Sequence, residues 1–222
     1  MTYPAEPWDL RGQMYVSVWS VPHAELPPLP EELTRVARRV TIGGRGLVGT
    51  AWAEYQPPGV LRYRELLAAT LIRIGARPAV TVTGIWVDSE VSRAGGRELW
   101  GIPKELADLE MTASAGPPGG RSITTTARAA SRAIARCLIR PGRRLPGRWP
   151  LRLLAAQPVD AEVRFTPARC RAVLTGATAR WTVEPRGPLA YLAHRRPMFT
   201  VALRDFRLTF GEAGGRSDAA SG

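Results

Sequence analysis

The stretch MYVSVWSV, residues 14–21, alternates with a period of two and is dense in β-branched and aromatic side chains. Successive side chains of a strand point to opposite faces, so this pattern specifies a strand with two differently used faces. Working outward, AVTVTGIWV at residues 79–87 reads as a second strong strand. Residues 47–55 read as a third, ended by Pro57, Pro58 and Gly59. Further strands are expected at 122–127, 134–139, 151–156, 177–183 and 199–210. Between them lie Gly/Pro turns at 75–78 and 117–120, a Pro-dense loop at 23–30 and an Arg/Pro/Gly loop at 141–150. Residues 63–74 suit a helix or a well-buried strand, and periodicity does not decide between them. A short helix is expected at 31–40, after Pro30, with acids in its first turn and arginines in its last. Residues 95–107 mix small residues, Pro103 and charges, which predicts a loop with a helical turn.

Many short strands, frequent Gly/Pro turns and few helices predict a mainly β fold (β-rich α+β). The expected architecture is an antiparallel, nearly closed cone- or barrel-like sheet with a few short helices, able to hold a ligand inside. The 222 residues fit one domain, expected over 7–211, with a solvated tail at 212–222. No run approaches the roughly 18–20 apolar residues of a membrane span, and no secretory signal is visible, so a cytoplasmic protein without membrane partners is expected. The two cysteines lack CxxC or His spacing and read as reduced, buried residues. The two histidines have no ligand-spaced neighbour, so no metal site is expected.

The net charge is +12. Its arginines are scattered, for example Arg128, Arg132, Arg136 and Arg140, rather than gathered into one patch with interleaved aromatics, so nucleic acid is not the expected partner. One asymmetry stands out. Lysine and arginine together number 31, and Lys104 is the sole lysine. A guanidinium stays protonated, whereas an ammonium can lose its proton when desolvated or near another cation. Arginine therefore cannot replace lysine where a neutral amine is needed, which makes Lys104 a candidate nucleophile.

Lys104 lies in GGRELWGIPKELA, residues 95–107. This segment resembles the acetoacetate decarboxylase superfamily, whose members carry Gly-Arg-Glu-Leu, three variable residues, then Pro-Lys. Here these are Gly96, Arg97, Glu98, Leu99, Pro103 and Lys104. The resemblance implies that Lys104 is the Schiff-base lysine. Tyr63-Arg64-Glu65 is similar to the family segment that supplies an active-site glutamate, which implies that role for Glu65. Arg11 is the nearest match to the family's active-site arginine and is expected to bind the substrate carboxylate. The likeness runs over most of residues 7–107. Two departures bear on the substrate: Glu105 stands where family decarboxylases commonly have a second lysine, and Thr50 falls on a second acidic position. Arg97 and Glu98 read as a structural ion pair or turn. Asp88 and Glu90 read as turn or capping groups.

The resemblance implies a Schiff-base lyase acting on a small keto acid, with no metal or organic cofactor, assembled as a homo-oligomer. Decarboxylation of a 3-keto carboxylate is the first expectation. An aldolase–dehydratase using the same lysine on a 2-keto acid is a rival, as is a non-catalytic small-molecule-binding relative. A basic nucleic-acid-binding module is a third rival, which steeply salt-dependent binding would reveal.

Overall fold

The alternation at residue 14 continues in both directions in the computed structural model, which describes residues 2–116 and 120–212. Strand β1 spans Trp8–Pro22. Helix α1 (Glu31–Val36) and two short strands, β2 (Arg38–Arg39) and β3 (Thr41–Ile42), lead to β4 (Arg45–Tyr55), β5 (Tyr63–Ile74) and β6 (Arg77–Val87). Helix α2 (Glu90–Trp100) is followed by β7 (Lys104–Leu106), β8 (Asp108–Gly116), β9 (Gly120–Ala129), β10 (Arg132–Arg144), β11 (Trp149–Val159), β12 (Glu162–Val183) and β13 (Phe199–Phe210). The fold is mostly β, as the sequence predicts. Among the described residues no helix is long and apolar enough to cross a membrane.

The strands form one sheet in the order β11-β6-β5-β4-β1-β13-β12-β10-β9-β8, and β11 pairs again with β12. That second pairing turns seven strands into a ring. The pairs are antiparallel except β6 with β11 and β6 with β7. Along β1, Trp8, Leu10, Met14 and Val16 join an apolar cluster fed by all seven ring strands, so these positions face the interior. Tyr15, Trp19 and Val21 face outward into a second core, where β8, β9, β10 and the end of β12 fold over the ring. Both faces of β1 are therefore buried. A third, smaller cluster seats Leu33 of α1 on Ile72, Ala79 and Ala156.

The ambiguous residues 63–74 are strand β5. Both its faces are buried, and such a strand has the continuous apolar run that a buried helix also shows. Helix α1 stops at Val36 because Ala37 turns extended and Arg38–Arg39 pairs with β5. The loop expected at 141–150 is shorter, since β10 runs to Arg144. Strand β12 is 22 residues long. Its first half, pairing with β11, carries exposed polar residues and Pro167, which mask the strand pattern. Of the turn expected at 117–120, residues 117–119 lie outside the described residues, as does the expected tail from 213 onward.

The largest departure is at residues 95–107, where the chain forms the last half of helix α2, then a tight stop, then β7. The helix is capped by Ser89, whose hydroxyl accepts from the Ser92 N–H. It ends at Gly101, φ +63°, with Gly101 N–H donating to Arg97 O and Ile102 N–H to Gly96 O. This is the left-handed glycine stop that commonly closes helices.

Candidate active site

Helix α2 closes one end of the ring. Its Ser92, Gly95 and Gly96 lie three and four residues apart and so share one face, and that face is small for a steric reason. A Cβ on Gly95 would come within 2.5 Å of the Trp8 ring, and one on Gly96 would stand 2.7 Å from Lys104 Cδ and 2.8 Å from Cε. The glycines that make the segment look like a loop are the space in which Trp8 and the Lys104 stem lie. An N-terminal strap holds the outside of the helix: Tyr3 OH donates to Glu98, Trp100 Nε1 donates to Glu6, and Glu6 also pairs with Arg164. Trp8 and Trp100 meet edge to face at 4.8 Å.

Lys104 opens β7 and points inward, 3% exposed. Its Nζ donates to Glu65 Oε2 at 2.9 Å, to Ser92 Oγ at 2.9 Å and to Tyr63 OH at 3.3 Å. The amine sits 5.0 Å from the Tyr63 ring centre and 5.9 Å from that of Trp8. The other Glu65 oxygen accepts from Tyr55 OH at 3.0 Å. Three acceptors match the three donors of an ammonium, and both carboxylate oxygens are engaged. Strand register explains the gathering. Tyr63 and Glu65 are two apart on β5 and share a face, while Tyr55 of β4 lies directly opposite Tyr63.

Burial pulls the Lys104 pKa down, because desolvation disfavours the charged form. The Glu65 carboxylate and Tyr63 oxygen pull it up, and the net direction is above the ordinary lysine value. Burying a lone ion costs several kcal/mol, whereas an opposite charge in direct contact in a low-dielectric interior offsets that cost. The resting site is therefore an ammonium–carboxylate pair, not the neutral amine that the lone lysine first suggests. Burial and the Glu65 charge push the Tyr63 phenol up to about 12 and hold Tyr55 well above its usual value, so both phenols stay protonated.

Glu105, which replaces the family's second lysine, points away from the cage. Arg97 pairs with it at the surface and also donates to the Lys104 carbonyl at 2.7 Å, which fixes the backbone of the nucleophile. Glu98 is held by Tyr3, so Arg97 and Glu98 do structural work separately. Ser89, not Asp88 or Glu90, caps the helix, while Asp88 accepts from the Arg64 N–H and pairs with its side chain. Thr50 is buried on the opposite face of β4 from Tyr55 and accepts from Trp19, so it is not part of this cage.

Arg11 is not brought to Lys104. Trp8 and Leu10 face inward, so Arg11 between Leu10 and Gly12 faces outward, where it lines a surface cavity with Arg148 and Arg207. The structure brings together Lys104 and Glu65, both of which the sequence reading names. That reading misses Ser92, Tyr55 and the role of Tyr63. Tyr63 is legible once 63–74 is taken as a strand, and Ser92 once 90–100 is taken as a helix, whereas Tyr55 requires the pairing register.

The chain thus encloses a buried lysine–glutamate pair in a ring of strands that a helix covers at one end. The acetoacetate decarboxylase family model matches residues 3–176, and the chain belongs to that family. Members of the family include decarboxylases. Among solved structures, an acetoacetate decarboxylase from Legionella pneumophila subsp. pneumophila str. Philadelphia 1 superposes with a TM-score of 0.66 at 18% identity, covering 95% of this chain and 87% of that one. The enduracididine biosynthesis enzyme MppR, complexed with pyruvate, gives 0.64 at 18% identity, with 99% and 93% coverage. An acetoacetate decarboxylase-like enzyme from Sphingomonas wittichii RW1 gives 0.60 at 13%, with 94% and 91% coverage. At these identities the superpositions establish the shared fold. No curated protein sequence matches the chain.

Proposed function

We propose that the protein is a Schiff-base lyase that decarboxylates a small 3-keto carboxylate through an iminium on Lys104. The observation that carries this reading is the placement of the chain's sole lysine inside the ring, 2.9 Å from the buried carboxylate of Glu65. A buried salt bridge is poor as a stabilising device, since well-packed apolar residues usually serve as well. It is well suited to moving one proton over a short distance.

In this mechanism a proton passes from Lys104 Nζ to Glu65, and the neutral amine adds to the substrate ketone carbon. Glu65 then gives its proton to the carbinolamine oxygen, which leaves as water, and the iminium forms. The bond from the α-carbon to the carboxylate breaks, and its electron pair moves toward the iminium nitrogen, giving CO2 and an enamine. A proton drawn from solvent adds to that carbon and regenerates an iminium, and water releases the ketone and restores the Lys104 ammonium. Tyr63, Tyr55 and Ser92 keep their protons and orient the pair.

The second reading is an aldolase–dehydratase acting on a 2-keto acid. The pyruvate complex of MppR on the same fold favours it. The two share every step up to the iminium.

The test is to incubate the protein with acetoacetate or pyruvate, reduce with borohydride and measure the intact mass. The expected result is one reduced adduct per chain, absent from Lys104→Ala and Lys104→Arg. No adduct with any of a panel of keto acids, in folded protein, would overturn the mechanism and leave a binding protein. If adducts form, CO2 release from acetoacetate supports the first reading, and condensation of pyruvate with an aldehyde supports the second.

A further inference from the structure

Outside the ring, a cavity of about 210 Å³ is lined by Arg11, Gln56, Arg148, Asp205, Phe206 and Arg207. We propose that this cavity binds a phosphate-sized dianion, either free or as the terminal group of a larger metabolite. The proposal concerns a site separate from Lys104 and does not depend on the Schiff-base reading.

The first observation is charge placement. Arg11 of β1 lies directly opposite Arg207 of β13, which lies directly opposite Arg171 of β12. Like charges at opposed positions of neighbouring strands are destabilising. Several arginines elsewhere are ion-paired: Arg64 with Glu54 and Asp88, Arg164 with Glu6, Arg169 with Glu212 and Arg195 with Glu25. Among the described residues, Arg11, Arg148, Arg171 and Arg207 have no such partner, since none of the ion pairs includes them. An anion held between Arg11, Arg148 and Arg207 would offset that repulsion at the cavity.

The second observation is how the cavity is built. Gly12 and Asp205 both sit where the register of β1 with β13 shifts. A Cβ on Gly12 would lie 1.9 Å from the Glu54 carbonyl oxygen, so only glycine fits. Asp205 adopts φ +48°, a conformation that non-glycine residues rarely take. Bulges re-aim side chains and are enriched beside functional sites. Here the bulge keeps both Arg204 and Arg207 outside the ring, and the Asp205 carbonyl accepts from Arg148 and so holds that guanidinium at the cavity.

The ligand class follows from charge and size. Three guanidiniums face one carboxylate, an excess that matches the −1.5 to −2 charge of a phosphomonoester at neutral pH. Arginine's planar fork suits phosphate oxygens. The volume is below the roughly 300 Å³ at which drug-sized pockets begin, which fits an anionic group rather than a whole organic ligand. The floor is Phe206, whose ring packs edge to face on Tyr55 at 5.8 Å. Tyr55 in turn bonds Glu65, so one aromatic layer divides this cavity from the lysine cage.

The test is calorimetric titration of the full chain with inorganic phosphate, pyrophosphate and a sugar monophosphate at constant ionic strength, with acetate and chloride as controls. Saturable binding of a phosphate species is expected. It should weaken about tenfold or more in Arg148→Ala/Arg207→Ala, since each lost charge-assisted bond is worth roughly that factor. It should be unchanged in Lys104→Ala, which separates this site from the lysine cage. Tighter binding of the sugar phosphate than of free phosphate would assign the group to a larger metabolite, and equal binding would assign the free anion. Absence of saturation in wild type, or equal binding by the double variant, would each overturn the proposal.

Discussion

Glu65 holds the Lys104 proton in place, and replacing it separates two effects that a simple loss of activity would merge. In Glu65→Gln the negative charge that raises the amine is gone while burial, which lowers it, remains. The midpoint of borohydride trapping against pH is expected to move down, leaving more neutral amine at a given pH below both midpoints. Turnover should nevertheless fall, because no group then returns a proton to the leaving oxygen. An unmoved or upward-shifted midpoint would show that Glu65 does not set the lysine's protonation. The same pair has a stability signature. A raised folded-state pKa contributes stability that is complete below lysine's ordinary 10.5 and is lost as pH rises through the folded value. The urea midpoint of wild type should therefore decline in the alkaline range above about 10.5 more steeply than that of Glu65→Gln. Glu105→Ala is the contrasting case. Its ion pair with Arg97 is about half exposed, so about 0–1 kcal/mol of stability and little trapping activity should be lost. Lys104 and Glu65 were legible at this scale because they fall in short, gap-free motifs and because the chain has a single lysine. Arg11 was not, since its inward or outward aim depends on the phase of β1.

Helix α2 forms against its own local propensity. Its sequence holds the right punctuation, with Ser89 at the start, Gly101 at the stop and Pro103 beyond, yet Gly95 and Gly96 lower its apparent helix propensity by roughly 1 kcal/mol each relative to alanine. Tertiary packing overrides that cost. The missing Cβ atoms admit Trp8 and the Lys104 stem, and neither neighbour is visible from local sequence. Gly96→Ala should therefore behave opposite to a surface glycine-to-alanine change, which commonly stabilises. Overpacking against the lysine stem should cost about 1–3 kcal/mol. It should also slow imine trapping more than a comparable loss of stability elsewhere would, for example in Ser89→Ala, where the lost cap costs about 1 kcal/mol. Equal trapping rates in the two variants, at matched fraction folded, would remove Gly96 as a positioning residue. The turns of two hairpins were hidden for a related reason. They place Ala130-Ser131 and Asp160-Ala161 at positive φ, where Asn-Gly or Asp-Gly is the usual signal.

The whole molecule depends on closing the ring, and the closure is weakest between β6 and β11. The strand count and the largely antiparallel character were readable from alternation and turns. Near-closure was expected from the same pattern, but which strands meet to make it was not legible, because a parallel contact between Val80 and Ala155, 75 residues apart, leaves no local trace. Only Ala155 and Val80 pair there as strands. Beyond that point Gln157, 3% exposed, takes over with its side chain. Its Oε1 accepts from the Val82 N–H at 2.8 Å and from Thr81 Oγ1 at 2.7 Å, and its Nε2 donates to the Val82 carbonyl at 3.2 Å. One amide thus imitates a peptide group of the missing ladder. Gln157→Leu keeps similar bulk but strands both backbone groups of Val82, each worth about 1–3 kcal/mol when buried without a partner. The expected loss is about 2–4 kcal/mol in urea unfolding, with faster amide hydrogen exchange at Val82 and its neighbours on β6, while the outer layer of β8 to β10 keeps its protection. A loss under about 0.5 kcal/mol, or exchange that rises evenly over the sheet, would mean that the seam is held by packing of the interior apolar side chains and that the Gln157 amide is incidental to it.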